Sequence, residues 1–462
     1  MTRKLPTLDE LQPENKDYPS LFRGYSRSDR ILKKLRLVMT PFLWLAFSVA
    51  VIFGAVMGLG KAILNLFLGR PLAALKTFLT SILLLIAAPI IGVISLIYPP
   101  LIKNLIRSAL IPATKSPLFS NDKDGEIERA NYEKQKNEVV ESDCHDLPNK
   151  GLVDTHDIYC TTYETKKMIL TFLGNAERYN STDETQKEKY QLVADQLRSN
   201  LCIVNYPGYT TEKPSTIDDV VNVGISQVYA LMREKNWLSK KDIEENICLQ
   251  GRSMGGGVAL QVALFFKQRY DLDLKVFIDR SFSSLDSTSS DYMTMSYSPM
   301  PKWYQRLLVK LAFTAMGGWN MNSAEAVKSL TPEKVRVVNL AFTEEQIPEE
   351  EKNLSGHGRL VRALGLSSAN THPDGVIQQG STLGEACKAM DEKDKKKRFK
   401  PIFINVKYFN SRTMERMSAQ EESFERHNEL LQNAKTKRNR SAPDVALKHF
   451  QPERYREMKP KN

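Results

Sequence analysis

The chain has 462 residues, 42% of them apolar, a net charge of +11 and a pI of about 9.2, so it can build a substantial core in one large domain or two to three ordinary ones. The basic balance suits nucleic acid or an anionic membrane surface; with no zinc-finger or RNA-recognition signature, no nucleic-acid partner is expected and the membrane surface is preferred. Cys144, Cys160, Cys202, Cys248 and Cys387 are scattered and odd in number, which excludes a disulfide frame or cysteine metal site; Cys160, Cys202 and Cys248 sit in apolar runs and read as buried thiols in a reducing compartment.

Residues 1–36 form a basic segment that ends on Arg27, Arg30, Lys33, Lys34 and Arg36. Residues 37–59 then carry no charge, and a second uncharged run covers 77–102. Each is long enough to cross a bilayer as a helix. The link 60–76 holds only Lys61, Arg70 and Lys76 as charges. The pattern predicts a transmembrane helical hairpin over 37–111 that crosses twice, or dips in and returns. It starts too late and runs too long for a cleavable signal peptide. The basic flank stays cytoplasmic by the positive-inside tendency. Two spans then return the rest of the chain to the cytosolic face.

Residues 112–150 are polar and mixed in charge, a linker. From 151 to 384, strand-like and helical runs alternate, which predicts an α/β domain with a mostly parallel sheet. Strands are expected at 157–163, 167–172, 201–205, 247–250, 275–279 and 335–341, and helices at 186–198, 217–233, 256–269 and 323–329. An insert at about 288–330, with Tyr292, Met295, Trp303, Phe313 and Trp319, reads as a cap that lines an acyl-chain pocket, touches the bilayer, or simply packs on the core. Residues 385–462 form a charged extension, with a basic run at 393–398, a strand at 401–408, a helical segment at 411–437 and a solvated tail.

Gly251-Arg252-Ser253-Met254-Gly255-Gly256-Gly257 is the stretch that carries chemistry. It follows the apolar run Ile247-Cys248-Leu249 and begins an apolar helical run. A Gly-x-Ser-x-Gly at a strand-to-helix junction is the layout of a nucleophile elbow. Its glycines give the backbone room for a sharp turn, and Ser253 Oγ then projects from the sheet edge. The backbone N–H of Met254 faces the oxyanion formed on attack. A second donor is expected after an early strand, at Leu173-Gly174-Asn175-Ala176, where Asn175 offers its backbone N–H. Asn205-Tyr206-Pro207-Gly208-Tyr209 is a shaped loop that can line the pocket. In the serine, acid, histidine chain order, the base must follow the acid, which removes His145 and His156. His427 and His449 lie in the charged tail, leaving His372 as the base, with His357 as its rival. Glu344, just beyond the strand 335–341, is the orienting acid, with Asp279 as the alternative.

These motifs, in this order, resemble the α/β-hydrolase superfamily over about residues 150–380. Residues 171–176 are similar to its His-Gly-Asn-Ala oxyanion loop, 205–209 to its Tyr-Arg-Gly-Tyr-Gly loop, and 344–348 to its Asp-x-x-x-Pro acid loop. The membrane-anchored serine-hydrolase branch is the nearest in plan. Leu173 stands where that family has histidine, and Glu344 where it commonly has aspartate. The resemblance implies an α/β-hydrolase fold behind a two-helix hairpin, hydrolysis of an ester or thioester of a lipid or acylated substrate, and no metal or organic cofactor. A peptidase remains open, as do a non-catalytic scaffold at a membrane and a hairpin protein that shapes bilayers. The hairpin with a charged tail also resembles effectors that intracellular bacteria deliver into host cells.

Overall fold

The computed structural model describes residues 3–12, 27–97, 145–147, 151–153, 155–174, 184–206, 217–295, 302–316, 321–341, 381–394, 398–405, 442–453 and 455. Helices α1 (Arg27–Phe67) and α2 (Pro71–Ile97) form an antiparallel hairpin. Their turn is closed by Gly69 at φ 68, a conformation glycine adopts without cost. Pro71 begins α2, because its fixed φ and missing N–H suit a first helical position. Both helices are long and apolar enough to cross a membrane: Leu45–Phe67 has a mean hydropathy of 2.0 and Pro71–Ile94 of 2.5, and only 28% and 24% of those windows is buried. Gly92 lets α2 approach α1 closely, since a Cβ there would sit 3.0 Å from Ser48 Oγ.

Short strands β1 (His145–Leu147) and β2 (Gly151–Val153) pair antiparallel, within and just after the stretch read as linker. The main sheet holds β3 (Thr155–Ile158), β4 (Met168–Phe172), β5 (Asn200–Val204), β6 (Ile247–Arg252), β7 (Lys275–Asp279), β8 (Val335–Ala341) and β9 (Ile402–Asn405) in the spatial order 3-5-4-6-7-8-9. Only the edge pair β3–β5 is antiparallel. This order, with a helix springing directly from central β6, is the α/β-hydrolase fold.

The period-2 alternation of strands divides the core into two layers. Met168, Leu170 and Phe172 face α4 (Ile217–Glu234) and α6 (Met254–Tyr270). Ile169, Leu201, Ile203 and Cys248 face α3 (Glu184–Leu197) and α11 (Ala442–Phe450). Residues 3–12 also join the first layer: Leu11 is buried there and Arg3 N–H donates to Arg269 O at 2.7 Å. Among the described residues the remaining α-helices are α5 (Lys240–Asn246), α7 (Leu285–Met295), α8 (Lys302–Met316), α9 (Ser323–Lys328) and α10 (Leu383–Lys393).

Three expectations need correction. The first strand begins and ends earlier than 157–163, because Asn200 and Asp195 side chains take Cys160 N–H and the Thr161 and Thr162 N–H groups away from any ladder. Cys160 is half-exposed rather than buried, whereas Cys202 and Cys248 are fully buried. The last residues are not simply a solvated tail: Val445, Ala446, Leu447, Phe450 and Tyr455 are core residues of the second layer. The helical segment expected at 411–437 lies outside the described residues.

Candidate active site

β6 ends at Arg252 and α6 begins at Met254, so Ser253 alone makes the turn between them. Its backbone sits at φ 51 and ψ −118, which a non-glycine residue adopts only when its surroundings force it. The forcing contacts are present. Ser253 N–H donates to Asp279 O at 3.1 Å, and Ser281 Oγ–H donates to Ser253 O at 2.8 Å. Ser253 itself is partly exposed beyond the C-terminal edge of the sheet.

The glycines of the motif are required by packing. A Cβ on Gly255 would fall onto the carbonyl oxygens of Phe172 and Leu173, at the end of β4. A Cβ on Gly251 would meet the backbone of Gly255 and Gly256. The strand end that leads to the expected second oxyanion donor therefore lies against the first turn of α6. Tyr206 fixes that strand end: its buried hydroxyl donates to Leu173 O at 2.5 Å. The sequence singled out the 205–209 loop as shaped, and the hydroxyl gives Tyr206 a specific task. Met254 opens α6, so its backbone N–H belongs to the first turn, whose N–H groups have no partner within the helix and carry the positive end of its dipole.

Asp279, the alternative acid, ends β7 beside the serine. Both its carboxylate oxygens accept from Arg280 Nε at 3.0 Å, and Oδ2 also accepts from Nη2 at 2.6 Å. Arg280 holds a positive φ of 52 while its N–H donates to Val338 O at 2.8 Å. That arrangement commits the Asp279 carboxylate to its own neighbour. Glu344, His357, His372 and Asn175 lie outside the described residues. The described residues that flank 342–380 are both at this end of the sheet. Ala341 closes parallel strand β8, and Ser381 O accepts from Ser283 N–H at 2.7 Å. Leu383 N–H donates to Ser281 O at 2.9 Å, and Gly384 N–H to the buried Asn339 Oδ1 at 3.1 Å. Ser281 and Asn339 had no sequence signal beyond their position next to strand ends, whereas Tyr206 lay in a loop the sequence marked without showing what its hydroxyl does.

His449 is placed away from this site. It contacts Lys334 O at 3.0 Å, before β8, at the opposite end of the parallel strands. The cap insert is pinched at its root by the Ser284–Asn322 bridge and by Leu285 N–H donating to Met321 O at 3.0 Å. Among the described residues, no group of three His, Cys, Asp or Glu side chains is placed to hold a metal ion.

The sequence profile of the Chlamydia CHLPS protein (DUF818) family matches residues 101–350, more than half of the chain. The chain belongs to this CHLPS family. The match runs through the elbow and the cap insert. No curated protein matches the sequence. Among solved structures, similar folds include EstE1, a thermostable carboxylesterase from a metagenomic library, at 12% identity and a TM-score of 0.35 over 71% of this chain and 98% of that one. An α/β-hydrolase from Vibrio vulnificus stands at 13% and 0.38 over 71% and 93%, and an esterase of the bacterial hormone-sensitive lipase family at 11% and 0.33 over 74% and 98%. The fold of this CHLPS chain is defined by its strand order and by the turn at Ser253.

Proposed function

We propose that this chain is a membrane-tethered serine hydrolase that cleaves an ester or thioester of a lipid or acylated substrate. The observation that carries the reading is the backbone of Ser253, strained at φ 51 on a one-residue turn between strand and helix. Strain of this kind persists only where neighbouring structure over-determines it, and it clusters at reactive sites. The turn lifts a hydroxyl to the sheet edge, next to amide protons at the start of α6.

In this reading Ser253 Oγ attacks the acyl carbon while His372 takes its proton, and Glu344 orients the imidazole. The oxyanion is held by the N–H groups of Met254 and Asn175. The alcohol or thiol leaves with the proton from His372, and water then releases the acid from the acyl-serine. His357 and Asp279 are the substitutes for base and acid. The Arg280 pairing of Asp279 supports Glu344 over Asp279. The lipid-like substrate rests on the hairpin and on the apolar cap. The basic flank of α1 favours the cytosolic face for the hydrolase domain. Its likeness to delivered effectors extends the proposal to a host-cell membrane.

A fluorophosphonate probe tests the chemistry. Wild type in detergent is expected to label and Ser253→Ala to lose the label while keeping its circular dichroism. Labelling of neither protein overturns the reading in favour of a scaffold whose elbow is purely structural.

A further inference from the structure

Helix α8 of the cap insert has three distinct faces. Tyr304 and Leu308 pack on the hairpin in a cluster with Val51 and Ala88. Val309 and Phe313, on a second face, belong to the main core of the hydrolase domain. Trp303, Arg306, Leu307 and Lys310 follow at spacings of three, one and three residues, a single helical stripe, and all four are exposed. Trp303 is 59% and Leu307 43% accessible, unusual for large apolar residues on a helix already packed on two sides.

This stripe continues a larger one. Along α1, Phe42, Leu45, Val49, Phe53, Val56 and Ile63 are exposed at helical spacing. Phe53 meets the ring of Tyr304 at 5.9 Å, and Tyr304 meets Trp303 edge-on at 5.3 Å. The Tyr304 hydroxyl donates to Ala50 O at 2.5 Å, so α8 is fixed to the hairpin at one level. The exposed apolar residues of α1 and of α8 are thus joined through the buried ring of Tyr304.

We propose that α8 is a second membrane-contacting element, seated in the headgroup–acyl boundary of an anionic bilayer beside the hairpin. The proposal rests on the membrane tether proposed above. Phe47 and Ile94 of the hairpin pack against the hydrolase core, whereas Phe53 is exposed, so α8 meets α1 close to where the hairpin leaves the hydrolase domain. Interfacial amphipathic helices rest about 5–10 Å into the headgroup–acyl boundary. Trp303 and Leu307 then enter the acyl boundary. Arg306 and Lys310 on the same stripe reach back to lipid phosphates, as long basic side chains do at interfaces. The contact holds the cap insert at the membrane surface, so an acylated substrate approaches the elbow from the lipid side.

The test uses the full chain in phosphatidylcholine–phosphatidylglycerol vesicles, with and without acyl chains brominated near the headgroup. Retention of protein on vesicles after an alkaline wash reads the hairpin, and tryptophan quenching reads α8. Trp303→Phe is expected to stay bound and to lose roughly a third or more of the bromine-quenchable emission, because Trp237, one of the four tryptophans, is buried in the hydrolase core and out of reach of the lipid. R306E with K310E is expected to lower that quenching in phosphatidylglycerol vesicles while leaving retention unchanged. Retained protein in which Trp303→Phe quenches like wild type overturns the α8 contact and leaves the hairpin reading standing. A Trp303 shielded from both bromine and aqueous acrylamide overturns it too, in favour of a protein partner. Loss of the chain in the alkaline wash overturns both readings.

Discussion

Ser253 N–H donates to the carbonyl oxygen of Asp279 at 3.1 Å, which ties the candidate nucleophile to the end of the neighbouring strand. Ser281 holds the serine's own carbonyl from the other side. The two bonds keep the backbone in a region that only glycine enters freely. Ser253→Gly is therefore expected to raise stability by about 1–2 kcal/mol over wild type while abolishing probe labelling. Ser253→Ala keeps the strain and is expected to stay near wild type. Thermal unfolding of the three proteins in detergent checks this. A glycine variant no more stable than the alanine one means that the turn stores no strain.

The elbow glycines are not equivalent. Gly255→Ala places a methyl group on the carbonyls of Phe172 and Leu173, and backbone cannot step aside. A loss of at least about 3 kcal/mol is expected, or no folded protein. Gly257→Ala meets the Met321 thioether at 2.9 Å, the far end of a flexible side chain. About 1 kcal/mol is expected there, since methionine repacks readily. Yields of folded, detergent-extracted protein and its unfolding midpoints separate the two cases. Equal effects would mean that the β4 end is free to move.

Tyr206 couples the 205–209 loop to the strand end that precedes Asn175. Removing its hydroxyl leaves the Leu173 carbonyl buried and short of a donor, a cost of about 1–3 kcal/mol. If the strand end positions an oxyanion donor, Tyr206→Phe also slows fluorophosphonate labelling by about tenfold, the weight of roughly 1.4 kcal/mol on the transition state. Comparing labelling rates at a temperature where both proteins are folded isolates that part. An unchanged rate would assign Tyr206 to stability alone.

The fold was legible where one physical signal dominated. The uncharged runs at 37–59 and 77–102 announced α1 and α2, and the apolar run before Gly251 announced β6. Short amphipathic pieces were not legible. Ala442–Phe450 sits among basic and acidic residues, and its apolar face shows only once it lies on Phe277 and Ile169. The turn at Ser253 was readable because few arrangements need glycine on both sides of a serine. Ser281 and Asn339 were not, and the 205–209 loop was marked without the task of the Tyr206 hydroxyl, because each acts through a backbone group that folding brings near from elsewhere in the chain. The division of α8 into three faces was hidden for the same reason: Met and aromatic residues look alike whether they meet core, hairpin or lipid.

His449 gives that C-terminal helix a pH dependence. Burial, and then the nearby charge of Arg336, push its imidazole down to about 4, so it is neutral when folded and its Nε2–H donates to Lys334 O. The unfolded imidazole takes up its proton near the ordinary value of 6.5. Above that pH the two states bind protons alike and the contribution is complete. As pH falls from about 6.5 toward 4, the unfolded state gains a proton that the folded state refuses, so stability drops by at most about 3 kcal/mol. His449→Gln keeps a side-chain donor for Lys334 O without a titrating group. Unfolding midpoints of wild type are expected to fall more steeply than those of the variant between pH 7 and pH 5. Parallel curves would show that the imidazole is as free to take a proton in the folded chain as in the unfolded one, and that α11 is not packed over β8 as described.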